Sequence, residues 1–263
     1  MKTLLAIEWL KIKRHRTFWV MAALFLALLP LWNLGISGGI ISLGNKGVNL
    51  FSQDYTFPGA WHSYGYWGSV FVLFLSILVI TITCNEFTFR TQRQNVIDGW
   101  SRMDFFHGKV ALIVAFSFIA ALYLFVAGGM HGGLYSGTFA GIFSEIKLVA
   151  YFFLLSLNYM GFALILALLI KRSGLTISLF LLYAILVETF AVFTINYLAG
   201  ERYGNLLPLQ ASDTLLPFPW PPMIKRAIDG QAHFPDGIYV GASLFWCAVY
   251  YVSGRALISK RDL

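Results

Sequence analysis

Six stretches of about 20 mostly apolar residues constrain this chain more than any other feature, near 17–40, 64–84, 109–130, 147–170, 174–198 and 238–258. Each is long enough to cross roughly 30 Å of hydrocarbon as a helix. Only 12% of the residues are charged and mean hydropathy is +0.71, whereas a soluble domain carries roughly 25% charge. Several such runs exclude one anchored globular domain, and the expectation is an all-α polytopic protein with a single transmembrane domain, 1–263. Pro30 lies inside the first span and can kink it, which is tolerable where a neighbouring helix satisfies the freed carbonyl. The fourth and fifth spans are separated only by Lys171, Arg172 and Ser173, a tight hairpin. No small-residue cleavage site follows the first span, which is too long for a signal-peptide core, so the N-terminus is expected to stay on.

Charge sets the orientation. The N-terminal segment, the connection 84–109, the turn 171–173 and the C-terminal tail hold 14 of the 19 Lys and Arg. This asymmetry predicts an even number of spans with both termini in the cytoplasm. The net charge of +7 is then topological, and nucleic acid is excluded as a partner. In residues 1–16, Leu5, Trp9 and Ile12 repeat at helical spacing, which predicts an interfacial helix. The alternative is a basic flank that serves topology alone. On the opposite side, Trp61, Tyr64, Tyr66 and Trp67 read as an interfacial aromatic belt. The external loop 199–237 contains LPFPWPP, ending at Pro222, where proline excludes regular helix. A dipping or re-entrant segment is expected there, not a seventh span.

Glu188 is the one carboxylate deep inside a predicted span, a placement that insertion scales put at about 2.5–3.5 kcal/mol. It reads either as a pathway or gating residue, or as a hydrogen-bonded packing group with Tyr183, Thr189 or Asn158 as partners. Gly128, Gly129, Gly132 and Gly133 give small-xxx-small pairs, but at a span end a glycine-rich turn is at least as good a reading. The five histidines are scattered without ligand spacing, so no metal site is expected, and His107 reads as part of the inner interface. Cys84 and Cys247 read as free thiols. No catalytic motif occurs, and G-x-x-x-x-G-K-[ST] is absent, so any driving ATPase is a separate polypeptide.

The longest polar run between apolar segments is CNEFTFRTQRQNVIDGWSRMDFFHGK at 84–109. A connection of about 25 residues with aromatics among its charges reads as a folded element that docks on another protein. Glu86, Thr91, Val96-Ile97, Ser101-Arg102 and Gly108-Lys109 follow one another in the order of a family motif. That motif has an acid, Gly-Thr, an apolar stretch, Pro-x-Ser-Arg and Gly-Lys. In this run and in its topology, the chain resembles the permease subunits of ABC-2 type ABC transporters. Two departures stand out: Arg90 replaces the glycine, and Gly99-Trp100 replaces the proline segment.

The resemblance implies a type V, exporter-like fold. Six transmembrane helices would follow an N-terminal connecting helix, with a cytoplasmic coupling helix within 85–108. It further implies a prokaryotic inner (plasma) membrane, a second permease subunit (self or similar), and two copies of an ABC ATP-binding subunit carrying ATP and Mg. Val96, Trp100 and Met103 would anchor the docking face, with Glu86, Arg90 and Arg102 registering it. The second and fifth spans would line the pathway, bringing Glu188 near its axis. The alternative is a membrane scaffold that binds a cytoplasmic partner without transport.

Overall fold

Lipid offers backbone N–H and C=O groups no partner outside their own segment, so apolar runs of this length close into helices. The structure is a computed structural model describing residues 2–41, 54–89, 91, 101–199, 202–220 and 234–260. Its helices are α1 (Lys2–Ile12), α2 (Arg16–Ser37), α3 (Gly59–Thr88), α4 (Arg102–Ser136), α5 (Lys147–Ile170) and α6 (Ser173–Ala199). A 3₁₀ turn, Tyr203–Leu206, leads to the short α7 (Gln210–Asp213), and α8 (Asp236–Lys260) ends the fold. There is no strand among the described residues. Six of the helices are long and apolar enough to cross a membrane, so the chain is an all-helical, multi-pass membrane protein.

α3 and α4 outrun the bilayer. Their 30 and 35 residues correspond to about 45 Å and 52 Å of helix against roughly 30 Å of hydrocarbon. The helix that begins at Arg102 therefore starts about two turns before the span read from hydropathy, and it does so at a defined signal. The Ser101 hydroxyl accepts from the Asp104 N–H at 3.1 Å, while the Asp104 carboxylate accepts from the Ser101 N–H at 3.0 Å. This reciprocal capping box fixes the first turn. At the other end Gly137, with φ +67°, takes the left-handed conformation that stops the helix.

Proline at position 30 leaves the Leu26 carbonyl without its helical donor. The Tyr123 hydroxyl of α4 donates to that carbonyl. α2 consequently continues through Pro30 to Ser37.

The core forms around α3, whose most apolar window is 72% buried, whereas the corresponding figure for α6 is 17%. Trp61, Tyr64 and Trp67 are buried in that core and Tyr66 is half-buried, which corrects the reading of these rings as an interfacial belt. The Trp61 ring stacks on Phe125 of α4 with 5.7 Å between centroids. Rings of this size need a flat facing wall, and α4 provides it with glycine. A Cβ at Gly128 would lie 3.0 Å from Trp61, and one at Gly132 would lie 2.6 Å from Phe57. Gly128, Gly129, Gly132 and Gly133 are therefore helical close-packing positions and not a turn.

Candidate functional site

Two buried polar constellations stand at opposite ends of the bundle. The base holds α1, the end of α3, the start of α4 and the turn that follows α5; the top holds the 3₁₀ turn and α7.

At the base, three separate segments contribute to one ion cluster. α1 supplies Glu8 and Lys11 one helical turn apart, the last turn of α3 supplies Glu86, and the second turn of α4 supplies Lys109. Lys109 Nζ lies 2.5 Å from Glu8 Oε2 and also pairs with Glu86 Oε1. Lys11 Nζ lies 3.3 Å from Glu8 Oε1 and 3.5 Å from Glu86 Oε2. The Lys109 side chain is 1% exposed, as is that of Glu8. Among the described residues two acids and two bases balance in this group, and the Phe105 ring covers the Lys109 ammonium at 5.4 Å from its centroid. Removing one member of such a buried set leaves an uncompensated charge, an effect of about 3–5 kcal/mol.

Other contacts gather at the same end. Thr91 Oγ1 donates to the Glu86 carbonyl at 3.4 Å. The Lys171 ammonium sits 4.9 Å above the Phe87 ring, and Cys84 Sγ is 3.8 Å from Thr176 Oγ1. His107 Nε2 is 3.2 Å from the Tyr251 hydroxyl of α8. The two roots of the connection 89–101 are thereby tied to α1, α6 and α8.

The residues singled out in the sequence separate on this frame. Glu86, given a docking role by the sequence reading, belongs to the buried cluster. Met103 packs partly against the core, and Arg102 is half-buried at the helix start. Arg90, Val96 and Trp100 lie outside the described residues. On α1, Ile12 is buried beside Glu8, while Trp9 is 46% exposed. Glu8 was missed because a lone acid among basic residues reads as part of a topological flank. Its one visible signal was the one-turn spacing to Lys11 on a helix face.

At the top, Glu188 follows a π-helical turn, Tyr183–Val187, that shifts the register of α6. Its Oε1 accepts from the backbone N–H of Leu209 at 2.7 Å and of Gln210 at 3.0 Å. Those donors replace Tyr183, Thr189 and Asn158, the side chains considered as partners from sequence. Asn158 instead donates to the Pro208 carbonyl at 2.7 Å and to Ser212 Oγ at 3.2 Å. Tyr159 donates to Asp213 Oδ2 at 2.7 Å. Beside this site, Gln210 and the α6 residues Thr189, Val192, Phe193, Asn196 and Tyr197 line a groove of about 410 Å³.

Compared with known families, residues 4–188 match the one described as ABC-2 family transporter protein. The chain belongs to the ABC-2 transporter family. The matched region of this permease contains all four members of the basal cluster and ends at Glu188; α7 and α8 lie beyond it. No curated protein matches the permease significantly.

Proposed function

We propose that this chain is the membrane-spanning half of an ATP-driven exporter in a prokaryotic inner membrane, with the base and both termini cytoplasmic. In this reading it pairs with a second permease subunit, itself or a similar chain. Two copies of an ABC ATP-binding subunit, which carry the ATP and Mg, dock on the connection 84–109. Arg90, Val96, Trp100, Arg102 and Met103 furnish the docking contacts, and Glu86 holds their root in place.

The observation that carries this reading is the Glu8–Lys109–Glu86 cluster. It joins α1 to both roots of the connection through charges that cannot be separated without exposing one of them to an apolar surround. A force applied to the connection therefore moves α1, the foot of α3 and the foot of α4 together. Such rigid-body displacement is how a cytoplasmic motor shifts spans between alternating arrangements. The apolar outer half of α6, with Phe190 68% and Phe193 74% exposed, supports a face that a second permease subunit covers. The groove beside Gln210 supports passage of an apolar or amphipathic substrate.

The test is co-purification in mild detergent followed by an ATPase assay. A P-loop ATPase should be retained in stoichiometric amount and lost on Trp100→Ala or Arg102→Glu. Retention of a different cytoplasmic protein, without partner-dependent ATP turnover, would leave the scaffold alternative standing in its place.

A further inference from the structure

The top of the bundle carries two carboxyl groups, the buried Glu188 and the half-buried Asp213, whose negative charge is answered unequally. The segment from the 3₁₀ turn through α7 folds back into the wall formed by α5, α6 and α8. Its apolar side chains Leu209, Ala211, Leu215 and Leu216 are buried there. Its polar anchors come from three helices. Asn196 Oδ1 accepts from the Gly204 N–H at 2.8 Å, and Trp246 Nε1 donates to the Leu206 carbonyl at 2.9 Å. Asn158 and Tyr159 of α5 and Glu188 of α6 supply the rest.

Where this segment meets the wall, Glu188 Oε2, Asp213 Oδ1 and Asn158 Oδ1 are all buried oxygens with no hydrogen-bond partner among the described residues. Glu188 is 3% exposed and Asn158 is fully buried. An ionised carboxylate is an acceptor only, so oxygens left this way call for a donor that the surrounding groups do not provide. Among the described residues, and apart from the two carboxyls themselves, the titratable groups within electrostatic reach are phenols and one thiol. They are Tyr159 of α5, Tyr183 of α6 and Tyr250 of α8 around Glu188, with Cys247 beside Tyr250, and Tyr66 of α3 and Tyr159 around Asp213. Among the described residues, no Lys, Arg or His pairs with either carboxyl. The two carboxyls also lie within reach of each other. Glu188 receives two backbone N–H donors, whereas Asp213 receives one phenol. The missing donor is therefore best supplied as a hydrogen on Asp213.

We propose that Asp213 is a proton-binding site that latches the segment 203–216 to the bundle, docked when Asp213 is protonated and released when it ionises. On release the O–H bond of the Asp213 carboxyl breaks, the proton passes to water and the carboxylate keeps the electron pair. Docking reverses this and takes up one proton. Because Gln210 of the latched segment closes one side of the groove along α6, release opens that groove. If the orientation in the proposed function holds, the latch responds to the pH outside the cell.

Burial pushes Asp213 up to about 7, with the nearby Glu188 charge acting in the same direction and the Tyr159 hydrogen bond opposing it. In an undocked segment facing water the same carboxyl would return to an ordinary value near 3.8. Docking is therefore undiminished below about pH 4, weakens as pH rises from there to about 7, and levels off above. Between pH 5 and pH 8 the docking equilibrium is expected to fall on the order of 100-fold.

Hydrogen–deuterium exchange of the detergent-solubilised full chain, corrected for the intrinsic pH dependence of exchange, tests this without any ATPase present. A failure here is thus separate from failure of the transporter reading. Protection of the amides in 203–216 should fall at least tenfold between pH 5 and pH 8. Asp213→Asn should hold it high and flat, and Tyr159→Phe, which removes the donor that favours the ionised form, should move the midpoint to higher pH. A wild-type fall of less than tenfold, or the same slope in Asp213→Asn, overturns the proposal. So does a slope abolished by Glu188→Gln and retained in Asp213→Asn.

Discussion

The two ends of the permease bury carboxylates under opposite terms. At the base, Glu8 and Glu86 meet Lys109 and Lys11, so each negative charge has a cationic neighbour. At the top, among the described residues, Glu188 meets backbone N–H groups and Asp213 a phenol. An ion-paired cluster is held together by the mutual attraction of its charges. A buried carboxyl group with no cationic neighbour among the described residues is instead open to protonation, and burial pushes Asp213 up to about 7. Rigidity is thus concentrated where the chain would receive force, and lability where a segment of the fold can come away.

Substitutions at the two ends should separate these behaviours. The largest effect is expected from Lys109→Met, which leaves two buried carboxylates facing each other. Thermal unfolding in detergent should report a loss of about 3–5 kcal/mol. In the double variant Glu8→Gln/Lys109→Met the loss should be smaller than the sum of the two single losses, because the second change removes a charge the first has stranded. Additive losses would show that the cluster does not act as one unit.

Glu188→Ala at the top orphans two backbone donors, each worth about 1–3 kcal/mol. Its effect should be local: amide protection at Leu209 and Gln210 drops while the unfolding midpoint moves less than in Lys109→Met. A global loss as large as that of Lys109→Met would erase the distinction drawn between the two ends. The smallest effect is expected from Ser101→Ala, which removes the cap at the root of α4 for about 1 kcal/mol. It should fray the first turn of α4, seen as faster exchange at Asp104 and Phe105, and leave the top unchanged.

Much of the architecture was legible from length and hydropathy, since a run of 20 apolar residues has few alternatives to a spanning helix. The faces of those helices were not. Lipid is as apolar as a protein core, so Trp61 in the interior and Phe118 on the surface, 61% exposed, look alike in sequence. Glu188 could be flagged because a carboxylate in a span is conspicuous, but its partners are main-chain N–H groups, which every residue except proline possesses. Lys109 was visible as a loop terminus, and Glu8 was hidden in a basic flank. Neither revealed that about a hundred intervening residues fold back to bring them together. The docking role proposed for Arg90, Val96 and Trp100 rests on the sequence alone.

The Tyr123 hydroxyl that completes α2 at Leu26 stands 97 residues further along the chain. At ribosomal speeds of about 5–20 residues per second, α2 emerges roughly 5–20 seconds before that hydroxyl is synthesised. During this interval the notch at Pro30 must be shielded by water, by lipid headgroups or by the insertion machinery itself. The order of synthesis thus makes α4 a late chaperone of α2, and a ribosome paused between the two would hold the first span in its least stable form.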